Sequence, residues 1–294
     1  MELRMKQRGA LPSFFIIGAP KTGTTSFHYY LEQHPQIQMS HVKEPGFFAP
    51  SPNPLNVRRS INRRDVYERL FDPSVAVRGE ASTAYTEYPF RQRVPERIKD
   101  LVPDAKFIYL VRDPVARTLS HYHHHVASEG ERRSLAEVFG DLSDPRSPCI
   151  CASLYALQLE LFLRSFSQGR VLVVDQAQLF ADRRPTLRKV FGFLEVDQAF
   201  DSPRFDTEFL KSTERRTYPP GLARFVGSTV RPSTRWLPQR VRRALRLSME
   251  RLLLPPLDMA KLDAGLQSRL MDFYAGEVQR LRELTGETFS TWSI

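Results

Sequence analysis

The stretch from residue 14 to residue 25 contains the side chains best suited to bind an anion. An apolar run, Phe-Phe-Ile-Ile, leads into Gly-Ala-Pro-Lys-Thr-Gly-Thr-Thr. A strand, a glycine-containing turn and a helix in that order direct backbone N–H groups and a helix N-terminus at one point. The ammonium of Lys21 and hydroxyl groups at Thr24 and Thr25 would add donors. The alternative, a tight connection with incidental hydroxyls, would not require so many special residues.

The spacing in this loop departs from the G-x-x-x-x-G-K-[ST] phosphate loop of nucleotide-hydrolysing enzymes and kinases. Gly18 and Gly23 have the correct separation and Thr25 occupies the Ser/Thr position, but Thr24 stands where that pattern has its lysine. Lys21 comes three residues earlier, so it would meet the anion from the loop itself. Such a loop suits a phosphate that carries a group at its 5′ end, with no metal required. A P-loop kinase is the alternative enzyme, and Thr24 argues against it.

A second group of donors follows another apolar run about 90 residues later. Residues 109–122 read Tyr-Leu-Val-Arg-Asp-Pro-Val-Ala-Arg-Thr-Leu-Ser-His-Tyr, so Arg112 ends a predicted strand and Ser120 follows eight residues later. The guanidinium of Arg112 offers several donors to a phosphate. On a helix, Ser120 lies about two turns further along the same face.

Both stretches resemble those of sulfotransferases that use 3′-phosphoadenosine 5′-phosphosulfate (PAPS). The first is similar to the family's 5′-phosphosulfate loop and the second to its 3′-phosphate motif. The resemblance implies that Arg112 and Ser120 bind the 3′-phosphate. It also implies that the 5′-phosphosulfate is bound by the loop residues Lys21, Thr22, Gly23, Thr24 and Thr25. The expected product is 3′-phosphoadenosine 5′-phosphate (PAP), and no metal is expected.

Three further stretches, residues 43–48, 79–85 and 288–292, resemble the same family, closest to its heparan-sulfate and bacterial carbohydrate enzymes. The resemblance covers most of the chain except about residues 219–257. Heparan-type enzymes carry a lysine directly after the glutamate that matches Glu80, and this chain has Ala81. The loss of that cation favours a bacterial-type acceptor. We therefore expect a hydroxyl of a carbohydrate, glycolipid or other small metabolite to receive the sulfuryl group.

Sulfuryl transfer needs an aligned acceptor, stabilisation of the departing phosphate and a general base. Lys21 would stabilise charge on the bridging oxygen. The resemblance places the catalytic glutamate of heparan-type enzymes at Glu44, the alternative being a paired surface acid. His41 is the second candidate for the base, because phenol-type relatives use a histidine. Arg216, in a stretch that we expect to cover the nucleotide, weakly matches a 3′-phosphate-binding arginine; the alternative is a solvated arginine.

Four histidines lie close together at positions 121, 123, 124 and 125. On a helix His121 and His125 would share a face, which is one requirement of a metal site. No acidic partner stands at a known spacing from them. Lining of the acceptor cleft, or an ordinary helix surface, is therefore the preferred interpretation.

The elements that must position these residues alternate between apolar runs and helical patterns. Five apolar runs predict strands, at residues 14–17, 37–39, 75–77, 106–111 and 171–174. Helical patterns occur at residues 23–34, 91–101, 114–127, 153–166 and 185–194. Continuous apolar runs suit strands that are buried on both faces of a parallel sheet. The alternation predicts a three-layer α/β fold with a mostly parallel sheet of about five strands, and the resemblance implies the P-loop NTPase-like arrangement.

The last third of the chain has a different composition. Residues 219–257 contain several prolines and a basic stretch at 240–251, which we interpret as a helical insertion or an acceptor-side cap. The basic stretch suits a solvated helix face, with contact to an anionic membrane or acceptor as the alternative. Residues 258–285 predict a long amphipathic helix. With no convincing linker, residues 1–294 are expected to form a single domain.

The net charge of +10, from 43 basic and 33 acidic residues, favours an anionic partner. A nucleic-acid-binding protein is the alternative from outside the enzymes, but no basic stripe with stacking aromatics is visible. Two cysteines separated by one residue cannot form a disulfide framework, and no apolar run is long enough for a membrane span. A cytoplasmic location is expected. The expected partner is a small molecule or glycan, with membrane contact only if the acceptor is a lipid.

Overall fold

Five strands form one sheet in the computed structural model, which describes residues 10–50, 61–128, 130–207 and 259–294. The strands are β1 (Phe14–Gly18), β2 (Ile37–Met39), β3 (Val77–Ala81), β4 (Lys106–Val111) and β5 (Val171–Asp175). Their order is β2–β3–β1–β4–β5, and every neighbouring pair is parallel. The predicted α/β fold with a mostly parallel five-stranded sheet is confirmed.

The helices lie between the strands, largely where the sequence predicts them. They are α1 (Thr24–Leu31), α2 (Arg64–Glu68), α3 (Val94–Leu101), α4 (Pro114–Ser128), α5 (Leu135–Val138), α6 (Pro148–Cys151), α7 (Tyr155–Leu163), α8 (Gln176–Ala181), α9 (Arg183–Leu194) and α10 (Ala264–Thr285). The predicted C-terminal helix begins six residues later than expected, where Asp263 caps it by accepting the Leu266 N–H at 2.7 Å.

The sheet is buried on both faces, which explains its unbroken apolar strands. Phe15 and Ile17 of β1 point into one hydrophobic cluster, together with residues of α7 and α10. Phe14 and Ile16 point into a second cluster, together with residues of α1 and α9. Successive side chains of a strand face opposite sides, so every position of β1 meets a core. The result is the expected three-layer arrangement.

The third strand differs from its prediction. It spans Val77–Ala81, so it begins two residues later and ends four residues later than the apolar run at 75–77, and it contains Gly79 and Glu80. A side chain at Gly79 would bring its Cβ within 2.0 Å of Cζ of Phe14, so only glycine fits there. Glu80 is fully buried, and its polar partners replace the apolar contacts that the pattern expected.

Several sequence predictions fall on other parts of the chain. The predicted insertion at residues 219–257 lies outside the described residues, as does Arg216. Both cysteines are buried and free of a disulfide. Within the described ranges, none of the helices combines the length and the apolar composition that crossing a bilayer requires.

Candidate active site

The loop between β1 and α1 is held in place by hydrogen bonds to backbone carbonyls. The Ala19 N–H donates to the carbonyl of Leu110 at 2.7 Å, which ties the loop to β4. The Thr22 hydroxyl is buried and donates to the Ala19 carbonyl at 2.7 Å. Lys21 and Gly23 both adopt left-handed backbone conformations, with φ of 72° and 89°. A non-glycine residue in that region is uncommon and often occurs at functional sites.

The N-terminus of α1 opens into this loop. Gly23 is its N-cap and has no side chain with which to cap the first N–H groups of the helix. Unsatisfied N–H groups at a helix N-terminus carry partial positive charge and bind anions. Thr24 is buried and Thr25 half-buried in the first turn, next to the half-buried Lys21. The loop therefore has the donors of a phosphate or sulfate site.

Arg112 brings the second motif to this loop. It follows β4, the direct neighbour of β1, and its guanidinium donates to the Lys21 carbonyl at 3.5 Å. The Tyr155 hydroxyl donates to the Arg112 carbonyl at 2.8 Å, which holds the backbone at that point. Burial lowers the pKa of the Arg112 guanidinium from its usual value. The two motifs that lie about 90 residues apart in the sequence thus meet at one edge of the sheet.

Asp113 starts the helix that carries Ser120. One of its carboxylate oxygens accepts the Ala116 N–H at 2.8 Å, in the manner of an N-cap. Ser120 is buried in the second turn of α4. The other carboxylate oxygen accepts the Ser293 N–H at 2.6 Å. Hence the C-terminal stretch that resembles the family packs against the strand end that carries Arg112.

Glu44 lies after β2 and is held by backbone and side-chain donors. Its backbone is left-handed, with φ of 59°, and its N–H donates to the Ala81 carbonyl at 2.9 Å. One carboxylate oxygen accepts the Thr83 N–H at 2.7 Å, and the other accepts the Lys43 ammonium at 2.7 Å. The side chain is 40% exposed. Parallel strands end at one edge, so the loops after β1, β2 and β3 gather there.

A buried carboxylate supports the loop that carries Glu44. The hydroxyls of Tyr67 and Tyr85 both donate to one oxygen of Glu80 at 2.6 Å, and the Ser82 hydroxyl donates to the other at 2.7 Å. Ser82 also accepts the Gly46 N–H at 3.0 Å, which fastens the loop. Burial raises the pKa of Glu80 to about 7, against the lowering effect of these hydrogen bonds.

The histidine cluster has a donor arrangement that does not suit a metal ion. Ligand atoms of His121, His125 and Cys149 lie within 4.8 Å of one another. However, the Arg117 guanidinium donates to Nδ1 of His121 at 3.1 Å, so a neutral His121 carries its proton on Nε2. Burial, followed by the charge of Arg117, lowers the pKa of His121 well below its usual range. The adjacent guanidinium would also repel a divalent cation.

The structure gathers most, but not all, of the predicted residues. Lys21, Arg112 and the α1 N-terminus meet directly, while Glu44 lies on the same edge of the sheet. His41 is exposed after β2, and no hydrogen bond or ion pair involves it within the described part of the chain. Two supporting residues, Arg117 and Thr83, were not assigned a role from the sequence. The helical spacing of Arg117 and His121 was the available signal for the first; nothing local indicated the second.

Comparison with known proteins agrees with this geometry. Residues 12–201 match the sulfotransferase family, which is more than half of the 294 residues. The chain therefore belongs to the sulfotransferase family. It resembles the crystal structure of a sulfotransferase from Alicyclobacillus acidocaldarius with a TM-score of 0.69 and 26% identity, covering 97% of this chain and 100% of that one.

Two relatives from Mus musculus have names that refer to heparan sulfate. Bifunctional heparan sulfate N-deacetylase/N-sulfotransferase 4 is 31% identical over 206 residues, 66% of this chain and 23% of the relative. Heparan sulfate glucosamine 3-O-sulfotransferase 3B1 is 29% identical over 201 residues, 66% of this chain and 49% of the relative. The chain thus spans less than half the length of either relative. The family prediction is confirmed.

Proposed function

We propose that this chain transfers the sulfuryl group of PAPS to a hydroxyl of a carbohydrate, glycolipid or other small metabolite, and releases PAP. The observation that carries the proposal is the contact between Arg112 and the carbonyl of Lys21. It unites an anion-binding loop with a second cationic motif, as a nucleotide with anionic groups at both ends requires. The heparan sulfate sulfotransferases among the relatives support a sugar acceptor.

Donor binding is divided between the two motifs. Lys21, Gly23, Thr24 and Thr25 hold the 5′-phosphosulfate with the ammonium, two hydroxyls and the N–H groups that begin α1. Thr22 takes part through its backbone, because its hydroxyl donates to the Ala19 carbonyl. The 3′-phosphate lies against the Arg112 guanidinium and the Ser120 hydroxyl, and Arg216 is proposed as a further 3′-phosphate residue. No step requires a metal.

Lys21 stabilises the negative charge that develops on the donor during transfer. In the transfer, the bond between sulfur and the bridging oxygen of PAPS breaks while a bond forms between sulfur and the acceptor oxygen. The departing PAP gains negative charge on that bridging oxygen. An ammonium positioned beside it stabilises the transition state more than the ground state.

Glu44 accepts the proton that the acceptor hydroxyl loses. The Thr83 N–H and the Lys43 ammonium each engage one oxygen of its carboxylate. The Thr83 hydroxyl lies 3.3 Å and 3.5 Å from the two oxygens, and the side chain, which is 40% exposed, leaves the carboxylate open to the acceptor. His41 stays the second candidate for the base, and its exposure supports it less than the gathered contacts of Glu44.

The wider assignments are proposals of the same kind. The two cysteines form no disulfide, which suits a reducing compartment and supports a cytoplasmic location. Ala81 in place of the heparan-type lysine supports a bacterial-type acceptor, with membrane contact only for a lipid acceptor. We also propose one domain over residues 1–294, with residues 219–257 as a helical insertion or an acceptor-side cap.

The deciding experiment is an acceptor screen with labelled PAPS. Sugars, glycolipids, phenols and amines are incubated with the wild-type chain, and labelled product is measured together with released PAP. Parallel reactions use ATP with magnesium as donor. Transfer from PAPS alone is expected, with the highest rate on a carbohydrate or glycolipid hydroxyl. Failure of the same preparation to bind PAP in a titration, or phosphoryl transfer from ATP, would contradict the proposal.

A further inference from the structure

Arg117 is a fully buried arginine directly behind the loop that carries Lys21. Its guanidinium donates to the Pro20 carbonyl at 3.3 Å and to Nδ1 of His121 at 3.1 Å. It also donates to the Ser153 hydroxyl and to the Cys149 carbonyl. Arg117 therefore joins the loop to α4 and to the residues around α6.

All of these acceptors are neutral. A guanidinium has five N–H donors, and four of those of Arg117 are occupied by the contacts just described. Within the described ranges of the chain, no carboxylate forms an ion pair with it. A buried charge without an opposite partner is unfavourable because the low-dielectric interior replaces water. The fold retains this charge next to an anion-binding loop.

The charge of Arg117 adds to those of its neighbours. Pro20, whose carbonyl it holds, directly precedes Lys21, and Arg112 lies five residues earlier in the sequence. Burial is the main cause of the lowered pKa of Arg112, and the charge of Arg117 contributes to the same shift. Three cations thus lie around one loop. A ligand with several negative charges would relieve their mutual repulsion.

We propose that Arg117 is a positioning residue of the donor site, which holds the Lys21 loop through the Pro20 carbonyl and supplies a buried positive charge that the phosphates of the donor balance. The inference rests on the proposed function, because PAPS and PAP are the ligands concerned. Arg117 touches neither the donor nor the reacting atoms. It acts through the loop and through its charge, which adds to the positive potential that attracts the anionic donor to the open side of the loop.

The test is PAP titration by calorimetry at about 0.05 M and about 0.3 M salt. Arg117→Met removes the charge and keeps an apolar stem, whereas Arg117→Lys keeps the charge and loses the planar fork. Arg78→Met is the matched control, because Arg78 also donates to two backbone carbonyls, those of Leu11 and Val75, at the opposite end of the sheet.

Three results are expected. Arg117→Met weakens PAP binding about 10- to 100-fold at low salt and makes the remaining affinity less sensitive to salt. Arg117→Lys weakens binding less and keeps the salt sensitivity of the wild type, because the charge remains. Arg78→Met binds as the wild type does. A residue with only a structural role would not change the response to salt.

Other outcomes would overturn the inference. These are wild-type affinity in Arg117→Met, a loss of affinity in Arg117→Met with the salt sensitivity of the wild type, and an equal loss of affinity in Arg78→Met. If Arg117→Met does not fold, Arg117→Lys decides, with Arg78→Lys as its control. The role requires weaker PAP binding with wild-type salt sensitivity in Arg117→Lys and wild-type binding in Arg78→Lys, and any other result rejects it. If the wild-type chain itself does not bind PAP, the proposed function fails as well; if it binds and only the variants behave as the wild type, the inference alone fails.

Discussion

The two sides of the site are supported by buried charges of opposite sign. Behind the donor loop, the fully buried Arg117 gives its donors to neutral acceptors such as the Pro20 carbonyl. Behind the loop that carries Glu44, the fully buried Glu80 takes hydroxyl donors from Tyr67 and others. In each case the buried charge has the same sign as the functional residue that it supports.

The two sides differ in what neutralises the buried charge. Arginine keeps its charge in a buried site, so the donor side needs an external anion, and ligand binding there should respond to salt. A carboxylate can take up a proton instead, so the acceptor side should respond to pH. Burial raises the pKa of Glu80 to about 7, where such a response is measurable. One side is therefore completed by its ligand and the other by a proton.

The largest expected effect is on the donor side. Lys21→Ala should lower kcat by at least about 10³-fold, because the ammonium stabilises charge that appears only in the transition state. Circular dichroism should stay unchanged, since the loop is also held by Ala19 and Thr22. Turnover near the wild-type rate would refute the role of Lys21.

On the acceptor side, Glu44→Gln should lower kcat by about 10²-fold, because the amide cannot accept the hydroxyl proton. PAP affinity should remain that of the wild type, since Glu44 lies on the acceptor side of the site and not in the donor loop. Stopped-flow or radiolabel assays measure the rate and calorimetry measures binding. If PAP affinity falls together with the rate, Glu44 is a donor-binding residue. His41→Ala is the control, and a larger rate loss in that variant would transfer the role of base to His41.

Recognition of the 3′-phosphate should depend on Arg112. In Arg112→Ala, the preference for PAP over adenosine 5′-phosphate should shrink by about 10- to 100-fold, because a charge-assisted contact is lost. Competition binding with the two nucleotides measures the ratio. An unchanged ratio would place the 3′-phosphate elsewhere.

The smallest effect concerns Glu80 and stability. Its pKa is about 7 in the fold and 4.5 in its ordinary state, so between these values the folded chain binds more protons than the unfolded one. Stability should therefore fall as pH rises through this window and level off above it. In Glu80→Gln this fall should be smaller. Thermal unfolding of the two chains is compared at about pH 5, near the lower end of this window, and at about pH 8, above it. Parallel pH profiles of stability would show that Glu80 does not titrate there.

Much of the donor site could be predicted because its signals are local. The apolar run before Gly18, the turn residues and the first residues of α1 are contiguous, so strand, loop and helix N-terminus follow from neighbours in the chain. Arg112 at the end of β4 is equally predictable, because it directly follows an apolar run. The supporting contacts could not be predicted in this way. Thr83 contacts Glu44 across 39 residues of sequence, and nothing in the sequence around either residue indicates that they meet.

The third strand shows the same limit in the fold. Its apolar run suggested residues 75–77, yet the sheet uses Val77–Ala81 and buries Glu80. Hydropathy alone would place a glutamate at the surface, whereas Glu80 is buried. It becomes acceptable only when Tyr67, Tyr85 and Ser82 bring their hydroxyls to it, and these come from separate elements.

The sequence by itself determined the fold class, the anion-binding loop and the family, because each depends on residue types within short stretches. The tertiary structure alone decided which strands are neighbours, and so that Arg112 contacts the loop of Lys21. It also decided which charges are buried behind the site. Burial and pairing depend on residues that are distant in the chain, since the charge of Arg117 or Glu80 acquires its meaning only from the groups packed around it.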